Sequence, residues 1–226
     1  MKRSTLYSML VAVVICTAPM LVAAAKVGQA APDFTATASN GKTFRLSDNR
    51  GKYVVLEWHN NGCPYVGKHY KSGNMQRLQE QWTGQSVVWF TIISSAPGKQ
   101  GYVTASEENE YLTKMQAAPT AALLDPTGEI GHLYDAKTSP QMVVINPQGI
   151  VIYDGAIDDK PTTDLSDISG ATNYVNLALK QAMAGKQDVP VEVLQQSVLD
   201  AVSAFAGGAS QSDDITLLVV RYRAAA

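Results

Sequence analysis

The chain has 226 residues and a formal net charge of −2, with 46% hydrophobic and 17% charged residues. No basic patch argues for nucleic acid, and no acidic block suggests a charged tail. After the leader described next, about 200 residues remain, enough for one well-cored domain with an appendage.

Residues 1–25 read as an export leader. Lys2 and Arg3 form a positive start, residues 9–22 are largely apolar, and Ala23-Ala24-Ala25 offers a small-residue cleavage site. The apolar run is short for a membrane span, and an uncleaved anchor is the alternative. Ile15 before Cys16 is too large for a lipoprotein cleavage site. The expectation is a periplasmic protein with no membrane attachment once the leader is removed. Cys63 is then the one cysteine left, and it cannot form a disulfide within the chain.

Residues 26–40 read as an extended lead-in, with Asn40-Gly41 as a strong turn dipeptide. Residues 53–58 (YVVLEW) are nearly continuous in apolar character, which suits a buried parallel strand. From 65 to 82 the pattern becomes helical, with Tyr70, Met75, Leu78 and Trp82 at spacings of three to five. Residues 86–94 form the second clear strand. A helix over 106–116 is predicted to open at Ser106, with Glu107, Glu108 and Glu110 complementing its dipole.

Residues 121–124 form a short strand and 131–134 a helical turn. Residues 141–145 and 150–154 flank Asn146-Pro147-Gln148-Gly149 as a hairpin, and 174–183 form a helix. This alternation predicts an α/β sandwich with a mixed central sheet. Beyond a boundary near Lys186, residues 189–205 read as a helix and 215–222 as a strand. The domains are thus 1–25 (leader), 26–187 (α/β domain) and 188–226 (appendage).

Three features carry chemistry. Cys63 stands before Pro64, which suits the first position of a helix, and free N–H groups at that end favour a thiolate. Lys68 and His69 either add positive potential or are solvated helix residues. Glu57 interrupts an apolar strand, so it is either solvated at the sheet end or buried with a raised pKa and able to exchange protons. Thr138-Ser139-Pro140 precedes a strand, where an X–Pro bond is either cis in a tight approach or an ordinary trans bond.

A strand, a cysteine at a helix start and a proline before a hairpin strand together resemble the thioredoxin-like superfamily. Val27-Gly28-Gln29-Ala30-Ala31-Pro32-Asp33-Phe34, Leu46-Ser47-Asp48 and residues 62–70 (GCPYVGKHY) are similar to its redoxin branch of alkyl hydroperoxide reductases and thiol-specific antioxidants. Residues 124–128, 137–141 and 153–159 agree in order. The resemblance covers about 26–185 and implies a thioredoxin-like sandwich with an N-terminal extension.

It also implies roles. Cys63 is the nucleophile, Glu57 the buried proton acceptor and Pro140 the cis-proline beside the thiol. Asn60, Pro64 and Ser139 border the bound substrate, with Ser139 offering its backbone. The second cysteine of a CxxC motif would fall at Val66, so a resolving thiol must come from outside. Leu56 and Asn60 stand where peroxiredoxins carry proline and threonine. The implied function is a single-cysteine oxidoreductase acting on peroxides or protein disulfides, with an external thiol or thiol protein as reductant. It needs no cofactor or metal. The alternative is a redox-inactive binding module that holds a partner protein in the Pro140 groove.

The tail resembles something else. Residues 199–208 and Gln211-Ser212-Asp213-Asp214-Ile215-Thr216 are similar to the end of bacterial metal-dependent serine/threonine phosphatases. Two adjacent carboxylates are too few for a hard cation, so 188–226 reads as a non-catalytic remnant. Asp158-Asp159 reads as a solvated turn.

Overall fold

The computed structural model describes residues 25–184. Residues 1–24 of the leader and the 188–226 appendage lie outside the described residues, as does the phosphatase-like motif. Among the described residues, seven strands form one sheet: β1 (Thr35–Ala38), β2 (Thr43–Arg45), β3 (Val54–Trp58), β4 (Val88–Ile93), β5 (Ala121–Leu124), β6 (Gln141–Ile145) and β7 (Val151–Gly155). Their order is β2-β1-β5-β4-β3-β6-β7. β3, β4 and β5 run parallel, while the remaining pairings are antiparallel. The mixed α/β sandwich expected from the sequence is therefore present.

The helices that cover the sheet are α1 (Pro64–Lys71), α2 (Asn74–Thr83), α3 (Ala105–Met115), α4 (Glu129–Leu133) and α5 (Tyr174–Met183). Alternation along the strands builds two cores. Val54, Leu56 and Trp58 of β3 join Phe90, Ile92, Leu123 and Tyr134 on one face. Val55 joins Val66, Tyr70, Met75, Trp82 and Trp89 on the other, with Val175 and Leu179 of α5. Because side chains alternate across a strand, Glu57 must enter this second core with Val55.

Two helical expectations are corrected. The single helix over 65–82 is broken into α1 and α2 at Ser72-Gly73, where Gly73 has φ 71°. A Cβ there would come within 2.9 Å of Arg77 Nη1, and the left-handed conformation disfavours any other residue. The helix expected to open at Ser106 instead opens at Thr104. Its side chain accepts from Glu107 N while Glu107 returns a bond to the Thr104 N–H, a complete capping box.

Candidate active site

Cys63 is the N-cap of α1, and Pro64 occupies the first helical position, as the residue pattern requires. The Cys63 N–H donates to Asn60 O over 2.9 Å, closing the turn that leaves β3. Across the sheet end, the Cys63 thiol donates to Ser139 O at 3.1 Å. The Ser139–Pro140 bond is cis. Residues 76 apart in sequence thus meet because β6 is the antiparallel neighbour of β3, which delivers both Pro140 and Cys63 to the same edge.

Cys63 is half-buried and lies between two hollows. A cleft of about 500 Å³ is lined by Cys63, Pro64, Gly67, Tyr111 and Met115, with Lys71 and Lys114 on its walls. A smaller cavity of about 210 Å³ lies past Ser139, among His59, Asn60, Ser94, Gln100 and Lys137. Asn60 forms part of its wall, and its Oδ1 accepts from Gly62 N at 2.9 Å. The Asn60 amide sits so close over Gly101 that a Cβ there would lie 2.5 Å from Nδ2. Asn60, Cys63, Pro64, Ser139 and Pro140 are therefore gathered in one place.

Glu57 is fully buried, not solvated at the sheet end. Its Oε1 accepts from Tyr70 Oη at 2.8 Å. Its Oε2 accepts from Trp89 Nε1 at 2.7 Å and from Gln79 Nε2 at 3.1 Å. Burial pushes the carboxyl up. The charge of His59 and the donors Trp89 and Tyr70 outweigh it, and the pKa falls below the ordinary carboxylate value. His59 Nδ1 is 3.7 Å from Oε1, so its share is Coulombic more than hydrogen-bonded. The neutral carboxyl expected from burial alone is thus corrected: the donors favour a carboxylate, which is a proton acceptor.

The solvated readings of Lys68, His69 and Asp158 are also overturned, because all three are buried. Lys68 Nζ donates to Lys160 O at 2.8 Å and stands 3.8 Å from Asp158 Oδ1. His69 Nδ1 accepts from Asn74 Nδ2 at 2.9 Å, and Nε2 lies 3.8 Å from Asp158 Oδ2. These contacts fasten the loop after β7 to the helix that carries the thiol. Burial pushes Asp158 up, although the Lys160 N–H and the Lys68 charge pull against it.

Sequence reasoning missed His59 and Glu108. The only available signals were a histidine closing the strand before Cys63 and an acid one turn into an otherwise polar helix. Among the described residues, no group of three or more His, Cys, Asp or Glu is placed to hold a metal ion.

The AhpC/TSA family pattern matches residues 27–154, and the chain belongs to that family. Thiol-disulfide oxidoreductase ResA of Bacillus subtilis is 26% identical over 157 residues, 66% of this chain and 74% of that protein. An uncharacterized conserved protein from Geobacillus kaustophilus superposes with a TM-score of 0.64 at 22% identity, covering 73% of this chain and 85% of that one. A putative thiol:disulfide interchange protein DsbE from Chlorobium tepidum does so with a TM-score of 0.51 at 20% identity, covering 73% and 100%. The fold is thioredoxin-like.

Proposed function

We propose that the chain is an exported thiol-dependent oxidoreductase that works through Cys63 alone. The observation that carries this reading is the Cys63 thiol at the start of α1, bonded to Ser139 O beside Pro140 and facing an open cleft. The likeness to ResA supports a disulfide as the first substrate, and the leader-like N-terminus supports a periplasmic site of action.

The Cys63 thiolate attacks one sulfur of a disulfide RS–SR. A Cys63–S–SR bond forms, the S–S bond breaks, and RS⁻ leaves. An external thiol R′SH then attacks the bound sulfur of R, so R′S–SR departs and Cys63 returns as a thiolate. The proton of R′SH is released in this step, and Glu57 is the buried carboxylate that receives it. With a hydroperoxide ROOH the O–O bond breaks instead, giving Cys63–SOH and RO⁻, which takes up a proton. Val66 offers no thiol, so resolution depends on the external partner. Pro64, Asn60, Ser139 and Pro140 frame the substrate.

The test treats the chain separately with a small disulfide and with hydrogen peroxide, reads the Cys63 adduct by mass spectrometry, and follows turnover with excess dithiothreitol. The expected result is an adduct at Cys63 and turnover that Cys63→Ser abolishes. No adduct under either treatment would favour the binding-module alternative, and undiminished turnover in Cys63→Ser would overturn the assignment.

A further inference from the structure

Two buried ionisable groups near the thiol have no part in the steps above. Glu108 on α3 is 0% exposed, and neither carboxyl oxygen has a hydrogen-bond partner among the described residues. His59 is 4% exposed, and both ring nitrogens are likewise without one. Leaving a buried polar group unpaired costs free energy, because it loses its hydrogen bonds to water and gains none in return. A core that retains an acid and an imidazole in this condition leaves their hydrogen-bonding positions unused.

Their surroundings connect them to the site. The His59 ring packs at 4.9 Å from Tyr70 and 5.0 Å from Tyr111, which are 5.5 Å from each other. Tyr70 donates to Glu57, and Tyr111 lines the cleft that holds Cys63. One aromatic wall therefore has Glu57 and His59 on its inner side and the thiol's cleft on its outer side.

The charged and titratable groups around His59 come from three elements. β3 contributes Glu57, α1 contributes Tyr70, and α3 contributes Glu108 and Tyr111. Lys68 and His69 turn toward Asp158. Gln79 of α2 and Trp89 and Thr91 of β4 supply only neutral donors. The two acids are driven apart. Glu57 lies below its ordinary range for the reasons given. Glu108 is pushed up by burial, with the His59 charge pulling it down and the Glu57 charge pushing it further up. Paired groups held at different acidities are the arrangement that separates a proton donor from an acceptor.

We propose that His59 and Glu108 are positioning residues that hold, together with Glu57, one exchangeable proton behind the aromatic wall that borders the Cys63 cleft, and so set the pH range over which the thiol reacts. This deepens the redox reading and rests on Cys63 being reactive. The signs are opposite for the two residues. A protonated His59 favours negative charge on Glu57 and on the thiol, whereas an ionised Glu108 opposes it.

The experiment measures the rate of Cys63 carboxamidomethylation by iodoacetamide against pH in the wild-type chain, His59→Gln, Glu108→Gln and Glu108→Asp. His59→Gln is expected to move the midpoint up and Glu108→Gln to move it down, each by about half a pH unit or more. Glu108→Asp, which keeps the acid, should restore the wild-type profile. A merely structural role would leave the midpoints together or move them the same way, and either result overturns the proposal. Should His59→Gln fail to fold, the Glu108→Gln and Glu108→Asp pair decides: coincident profiles overturn it. A wild-type Cys63 that reacts at no pH overturns the redox reading and this one with it. A reactive Cys63 with unmoved midpoints overturns this one alone.

Discussion

The Cys63 thiol donates a hydrogen bond to the Ser139 carbonyl across 3.1 Å, joining the start of α1 to the loop that enters β6. The bond places the sulfur against the backbone segment that leads into β6. Alkylating Cys63 removes the S–H donor. Amide signals of Thr138, Ser139 and Gln141 are then expected to shift in a ¹H–¹⁵N correlation spectrum, while those of β7 beyond the hairpin stay in place. Unmoved signals at Thr138, Ser139 and Gln141 would mean that the contact does not form in solution.

Val66 occupies the third position of α1, fully buried three residues after Cys63. Val66→Cys would place a second thiol where an internal resolving group is required. Mild oxidation should then yield an intramolecular bridge between Cys63 and the introduced thiol, seen as the loss of two hydrogens by mass spectrometry. A mixed disulfide formed on Cys63 should then be shorter-lived in Val66→Cys than in the wild-type chain.

Glu57 is the shared acceptor for Tyr70, Trp89 and Gln79 in the buried core. Glu57→Ala would strand all three donors, and the expected cost is about 3–5 kcal/mol in urea unfolding. Glu57→Gln retains one acceptor oxygen and should cost less, while slowing the thiol-resolution step because the amide accepts no proton. Equal stability of Glu57→Ala and the wild-type chain would contradict the buried geometry.

His69 gives a pH dependence with a definite sign. Its pKa is pulled down to about 4 by burial and then by the Lys68 charge, with Glu57 pulling it up. The unfolded residue titrates near 6.5, so on acidification the unfolded chain binds this proton first. Its contribution is complete above about pH 6.5 and falls by up to about 3 kcal/mol as pH drops toward 4. Asp154, pushed up to about 6 by burial, acts the opposite way, gaining stability as pH falls through 6. The measurement is therefore the difference between the wild-type chain and His69→Gln, which should lose less stability over that window.

The strand that carries Glu57, the helix opening at Pro64 and the hairpin around Pro147 were legible because they rest on short-range rules: alternation, proline at the first helical position and turn chemistry. The break at Gly73 was not legible, since the apolar spacing runs on through it and only the backbone shows the left-handed turn. Lys68 and His69 read as surface residues for a similar reason. Nothing local in residues 64–71 reveals that the loop at 157–160 folds back over them.

Residue order was enough to establish the thiol, its place at a helix start, the lack of a partner at Val66 and the proline that would face it. The electrostatics came only with the folded arrangement. Whether Glu57 is a neutral acid or a carboxylate depends on Tyr70 from α1, Gln79 from α2 and Trp89 from β4 converging on it. Whether Glu108 is a surface acid or a buried one depends on α3 packing its Tyr111 against Tyr70 of α1 and His59 beyond β3. Periodicity reports which face of an element is apolar. The charge state of a buried group is set by partners from other elements, and no single stretch of chain contains them.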